Sequence, residues 1–173
     1  PGSGKQSRSR GVAGIEKRRS AMKPYRHILC ATDFSIFSDR ACVHAQTLAK
    51  RSGAALTLMH VVDHFPVDRS NEQIAPEDVD PKLFREQKAR EELDAQITRA
   101  DCPEARREVA FTTHSAAYEI VRYAKANGVD LILAASHGHK GIAANFGSTA
   151  RAVKKDAACE VIVVPAEGEI RAV

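Results

Sequence analysis

The chain has 173 residues, 43% of them apolar, which is enough for one sizeable core and too little for two average domains. Its net charge of +4 is unevenly spread: Lys5, Arg8, Arg10, Lys17, Arg18, Arg19 and Lys23 face only Glu16, so residues 1–23 carry +6 and the other 150 sum to −2. A slightly acidic body gives nucleic acid no broad positive field, and no apolar run approaches the roughly 18 residues of a membrane span, so neither partner is expected.

In chain order, residues 1–23 read as a flexible basic tail, part of it foreign to the native protein, with Met22 offering a native start. One domain is expected over 24–167, followed by a short tail, 168–173. His27-Ile-Leu-Cys-Ala31 predicts a first strand. After Thr32-Asp33-Phe34-Ser35 comes a helix with Phe37, Ala41, Ala45, Leu48 and Ala49 on one face, stopped at Gly53. Leu56 to Val62 predicts the second strand, and 63–80 an acidic loop whose Asp80-Pro81 opens a helix with Ala89, Leu93, Ile97 and Ala100 inward. Cys102-Pro103 breaks that helix. Val109 to Thr112 predicts the third strand; Ser115 caps a helix that buries Ala117, Ile120, Val121 and Ala124 and ends at Asn127-Gly128. Leu131 to Ala135 and Val161 to Val164 complete five strands, with a short helix from about Ser148 to Ala157 between them. Cys30, Cys42, Cys102 and Cys159 show neither a C-x-x-C pair nor zinc spacing and read as reduced core thiols, which fits a cytoplasmic protein.

Strands without polar alternation, joined by helices, predict an α/β fold: a parallel sheet covered on both faces. Ligands of such sheets bind outside the carboxyl ends of the strands where the winding reverses, next to strands one and four. From strand four the chain enters a glycine-bearing stretch with Gly138, Gly141 and Gly147, then Ser148 and Thr149 at the mouth of the next helix. Glycines let backbone approach a ligand, and helix amides welcome an anion, so this reads as a phosphate cradle. Its spacing fits neither the P-loop nor the dinucleotide turn. His60, His64, His114, His137 and His139 fall near the carboxyl ends of strands. A structural or phosphate-contacting role is preferred there over a metal site, because no acidic or thiol partner sits at ligand spacing. His27 and His44 read as partly exposed surface residues, and Arg151, Lys154 and Lys155 as a solvated helix face.

The segments Ile28 to Ser35, Leu58 to Val62, Gly128 to Gly138, Gly147-Ser-Thr149 and Cys159 to Pro165 together resemble the universal stress protein family, over essentially Tyr25 to Pro165. The resemblance implies a three-layer α/β/α, Rossmann-like fold with strand order 3-2-1-4-5 and a homodimer through the last strand (Val161, Ile162, Val163, Val164). It also implies adenine nucleotide, in many members ATP with Mg²⁺, bound by a Gly-x-x-Gly-(x9)-Gly-Ser/Thr signature. This chain departs from that signature: Ala135 stands where the first glycine would be, and eight residues rather than nine separate Gly138 from Gly147.

Carried over residue by residue, the family's site would place Ala31, Thr32 and Asp33 at the base. Val61 would form an apolar wall, Ala134 and Ala135 would leave room for the ring, and Ser136, His137, Gly138, Gly147, Ser148 and Thr149 would lie around the phosphates. For Asp33 a helix N-cap is an equally good reading, and Ser148 carries the same ambiguity. No catalytic triad or paired carboxylates are evident, so an enzyme is not expected. Three functions stay open: a nucleotide-binding stress-response module, a nucleotide-free dimeric adaptor of the same fold, and a slow ATP hydrolase.

Overall fold

Five parallel strands form one sheet in the order β3-β2-β1-β4-β5. The computed structural model describes residues 25–63, 80–136 and 147–165. In chain order the elements are β1 (His27–Thr32), α1 (Ile36–Ser52), β2 (Ala55–Asp63), α2 (Pro81–Arg99), β3 (Arg106–Thr112), α3 (Ala116–Ala126), β4 (Leu131–Ala135), α4 (Ser148–Asp156) and β5 (Glu160–Val164).

The alternation of side chains along β1 divides the core in two. Ile28 and Cys30 point to the face covered by α1 and α2, where they meet Ala41, Cys42, Ala45, Leu93 and Ile97. Leu29 and Ala31 point to the face covered by α3 and α4, among Ala117, Ile120, Ala124, Ala150 and Val153. Strands apolar on both faces thus become the middle layer of a three-layer α/β/α fold.

The helix boundaries follow local chemistry. Asp80 caps α2 by accepting from the Lys82 amide at 2.7 Å, with Pro81 in the first turn where its missing N–H costs nothing. Ser115 caps α3 in the same way, accepting from the Tyr118 amide. Gly53 closes α1 at φ 70°, a left-handed conformation in which a side chain is strained.

Several expectations need correction. β3 begins at Arg106, three residues before the apolar Val109, because Arg106, Arg107 and Glu108 lie on an edge strand and two of them are exposed. Charges on an edge discourage further strand pairing, and they also hide the strand from an apolar reading. Asp63 belongs to β2, not to the following loop. His27 is not a surface residue: it is 9% exposed, its Nδ1 donates to the Asn127 carbonyl, and its Nε2 meets the Thr57 hydroxyl at 2.9 Å. His44 is partly exposed, as expected, and the burial of the rest of it pushes its imidazole below the usual range. The cysteines stand as free thiols, with Cys30 and Cys42 in contact at 3.3 Å. The hydrogen bond to Cys30, followed by burial, raises Cys42 far above the ordinary thiol range.

The amino end of β1 is clamped by Asp130, whose carboxylate accepts from the amides of Arg26 (2.9 Å) and His27 (3.2 Å). Burial pushes this carboxyl up, but the two amides outweigh it and hold the group below the usual carboxylate range. A depressed folded value means that the stabilisation is present above about pH 4 and is lost as the pH falls through that value. Asp130→Ala should therefore cost about 1 kcal/mol at neutral pH. In thermal melts its deficit from the wild type should shrink towards about pH 2, where the wild-type carboxylate is protonated; a deficit constant with pH would contradict this account.

Candidate functional site

The winding of the sheet reverses between β1 and β4, since β1 leads to β2 on one side and β3 crosses back to β4 on the other. At that point Ala31 of β1 lies directly beside Ala134 of β4. Both are small side chains at adjoining strand ends, buried on the α3/α4 face, and Val61 is half-buried against the same cluster. Thr32, Asp33 and Ser136 emerge from the same end.

The turn after β1 is tightly specified. Thr32 is buried, and its hydroxyl donates to Ser38 Oγ at 3.0 Å and accepts from the Phe34 amide at 3.0 Å. Phe34 has φ 63°, rare for a bulky residue and costing roughly 1 kcal/mol or more. Its ring stacks on His60 with centroids 4.2 Å apart, and His60 Nδ1 donates to the Thr32 carbonyl at 2.9 Å. Because a carbonyl only accepts, that bond fixes the proton on Nδ1. The strained residue is thus held by one hydrogen bond below it and one ring above it.

Asp33 is not the cap of α1. Ser35 is, accepting from the Ser38 amide, and Asp33 Oδ1 in turn accepts from the Ser35 amide (3.1 Å) and hydroxyl (2.6 Å). The carboxylate therefore orients the cap instead of serving as one. Ser35 and Ser38 are site-supporting residues that sequence reading passed over. The Ser-x-x-Ser spacing ahead of α1 was the available signal. Gln96 of α2 reaches Ser38 at 3.4 Å and Asp39 at 2.9 Å, which ties the second helix to this turn.

On the β4 side, Ser136 is buried, its amide donates to the Val164 carbonyl at 2.8 Å, and its carbonyl accepts from the Gly147 amide at 2.5 Å. Residues 136 and 147 are thereby joined. The N-cap of α4 is Gly147, not Ser148, and no side chain caps this helix. Gly147 has φ −51°, so left-handed freedom is not its reason for being glycine. The reason is approach: a Cβ there would meet the Ser136 carbonyl oxygen at 3.3 Å. Ser148 and Thr149 occupy the exposed first turn, and with no side-chain cap their amides are offered to solvent or to an anion. Ala135 is half-buried and pairs with Val164. His137, Gly138, Gly141, His139 and His64 lie outside the described residues.

The structure thus brings together Ala31, Thr32, Asp33, Val61, Ala134, Ser136 and Gly147–Thr149 at one end of the sheet. Among the described residues no group of three or more His, Cys, Asp or Glu side chains converges to hold a metal, and no helix is long and apolar enough to cross a membrane.

Residues 24–165 match the universal stress protein family. Universal stress protein A homolog 1 of Coxiella burnetii is 30% identical over 140 residues, spanning 81% of this chain and 96% of that protein. The universal stress protein UspA of Lactobacillus plantarum superposes with a TM-score of 0.63 at 25% identity, over 81% of this chain and 97% of that one. The universal stress protein of Archaeoglobus fulgidus in complex with dAMP superposes with a TM-score of 0.58 at 20% identity, covering 82% and 98% of the two chains. A sheet ordered 3-2-1-4-5, a capped turn after β1, an uncapped helix facing the reversal point and a match over nearly the whole described domain lead to one assignment: this chain belongs to the universal stress protein family.

Proposed function

We propose that this chain binds an adenine nucleotide, ATP with Mg²⁺ in its fullest form, at the carboxyl ends of β1 and β4, and acts in the cytoplasm as a homodimer in stress response. The observation that carries the reading is the uncapped start of α4, held against Ser136 at the reversal point where Ala31 and Ala134 adjoin. An uncapped helix start supplies amide donors to phosphate oxygens, and two small alanines at the strand ends put no bulky side chain in the way of a purine. A related protein of the same fold was solved with dAMP, which supports an adenine mononucleotide as the chemical class. Mg²⁺ would enter on the phosphates, taking their oxygens and water, since no acidic cluster is gathered among the described residues.

In this reading Val61, Ala134 and Ala135 flank the ring and Asp33 faces the purine edge. Ser136, His137, Gly138 and Gly147–Thr149 surround the phosphates. Titration calorimetry with ATP, ADP and AMP, with and without Mg²⁺, tests it directly. If no adenine nucleotide binds at millimolar concentration, the fold is the nucleotide-free adaptor.

Two variants give the site its residues. In Gly147→Val the added carbons crowd the Ser136 carbonyl, so the 136–147 junction must shift and would carry the α4 amides off the phosphates. Nucleotide affinity should be lost while far-ultraviolet dichroism stays unchanged; a folded variant with wild-type affinity overturns the phosphate assignment. Asp33→Asn keeps an oxygen for Ser35 but introduces an amide donor where a carboxylate only accepts. Adenine nucleotides carry an amino donor at that edge, so their affinity should fall roughly tenfold to a hundredfold, with less loss for the 6-oxo analogue ITP. Equal losses for both would remove Asp33 from the base site.

The homodimer rests on β5, an edge strand on which Val161 and Val163 are half-buried and the outer backbone groups face away from β4. A second copy related by a twofold axis would pair those groups and bury the valines. Val163→Lys should shift the protein to monomer in light scattering at micromolar concentration while preserving most helical dichroism. A monomeric wild type, or a dimer indifferent to the substitution, eliminates this interface.

A further inference from the structure

At the opposite edge of the sheet, the first turn of α2, the carboxyl end of β3 and the first turns of α3 enclose an open groove of about 450 Å³. We propose that this groove is a second binding site, for a small aromatic anion: an aryl ring that bears a carboxylate or a phosphate.

Its charge is unbalanced. Lys82, Arg85 and Arg122 line the groove against one carboxylate, Glu119. Glu119 belongs to Arg122: its buried side chain accepts from that guanidinium at 2.7 Å, so the pair neutralises itself. Lys82 and Arg85 are different. Among the described residues neither side chain forms an ion pair with a carboxylate; Arg85 Nε donates to the Pro81 carbonyl, and Lys82 Nζ stands 5.2 Å from the centre of the Phe111 ring. Two cationic side chains with no ion pair among the described residues, facing one small volume, favour an anion within about a Debye length.

The groove is also aromatic. Besides Phe111, the His114 ring stacks on Tyr118 with centroids 4.9 Å apart and planes 24° from parallel, and Tyr118 is 51% exposed. A large exposed ring in a concave wall is unfavourable in water and is satisfied by a flat partner. Volume selects in the same direction. A cavity of about 450 Å³ lies in the range of small-molecule sites, and a bare phosphate would leave most of it to water. An aryl anion answers both features at once, with its charge towards Lys82 and Arg85 and its ring towards Tyr118 and His114.

This site is separate from the nucleotide site. β2 lies between β3 and β1, so the groove is two strand spacings, about 10 Å, from the reversal point, and on the far side of it from Gly147–Thr149.

Phenyl phosphate is the probe, with inorganic phosphate and phenol as its two halves, followed by amide chemical shifts and calorimetry on the full chain. Phenyl phosphate should bind at least about tenfold more tightly than either half and shift the amides of Thr112–Tyr118. Lys82→Gln with Arg85→Gln should weaken it by about tenfold or more at little changed melting temperature, since Lys82 is exposed, Arg85 half-buried and neither is in an ion pair among the described residues. If the double variant fails to fold, Lys82→Gln alone carries the comparison. Tyr118→Ala should weaken phenyl phosphate and leave inorganic phosphate as it was. Gly147→Val should change nothing here, which separates this site from the nucleotide reading. The proposal is overturned if phenyl phosphate binds no better than phosphate, if its shifts fall on Ser148 and Thr149, or if the charge variants bind it as the wild type does.

Discussion

The pairing of β1 with β4 is the constraint on which the site depends. Parallel strands cannot be joined by a tight turn, so every connection passes over a face of the sheet, and the two directions of winding must part somewhere. They part here between Ala31 and Ala134, with no crossover covering the strand ends. Topology alone would give only a crevice. Two alanines put small side chains at its floor, and a helix with no cap of its own makes one wall electropositive.

The opposite wall is built by a different device. Phe34 sits in a left-handed conformation that Gly or Asn would adopt more easily, and the surrounding bonds are what keep it there. Thr32 binds its amide, His60 lies on its ring, and Ser35 begins the helix one residue later. The strain turns the chain sharply enough for Asp33 to project at the strand end while its oxygen orients the cap. Of the two roles weighed for Asp33, the cap gives way to another: a carboxylate that fixes the capping serine and, in doing so, is itself held in place.

Fold class was legible because burial on both faces writes itself into composition: Ile28 to Ala31, Leu56 to Met59 and Leu131 to Ala134 are all buried runs. Helix starts carried by one residue, Asp80 and Ser115, were legible for the same reason. Where two residues competed, as Asp33 with Ser35 or Gly147 with Ser148, sequence alone did not rank them, because the choice depends on backbone angles set by contacts remote in the chain. Arg106-Arg107-Glu108 carried no strand signal, since an edge strand buries little. His27 was misread because a histidine in an apolar run can be satisfied by a carbonyl and a hydroxyl from 100 and 30 residues away. The groove at β3 escaped notice altogether: Lys82, Phe111 and Tyr118 meet only through tertiary structure.

The two ends of the sheet's carboxyl edge differ in how they would treat a negative charge. At α4 the donors are backbone amides, fixed in direction and insensitive to pH, and they favour oxygens that fit the helix start. At β3 the donors are side chains on flexible stems, so their attraction is long in range, screened by salt and loose in geometry, and selection there must come from the rings. An anion recognised by amides is chosen by shape; one recognised by Lys82 and Arg85 is chosen by what is attached to it. Within one small domain, a parallel sheet thus presents two anion-favouring surfaces whose selectivities rest on different physics, and occupancy of one need not exclude the other.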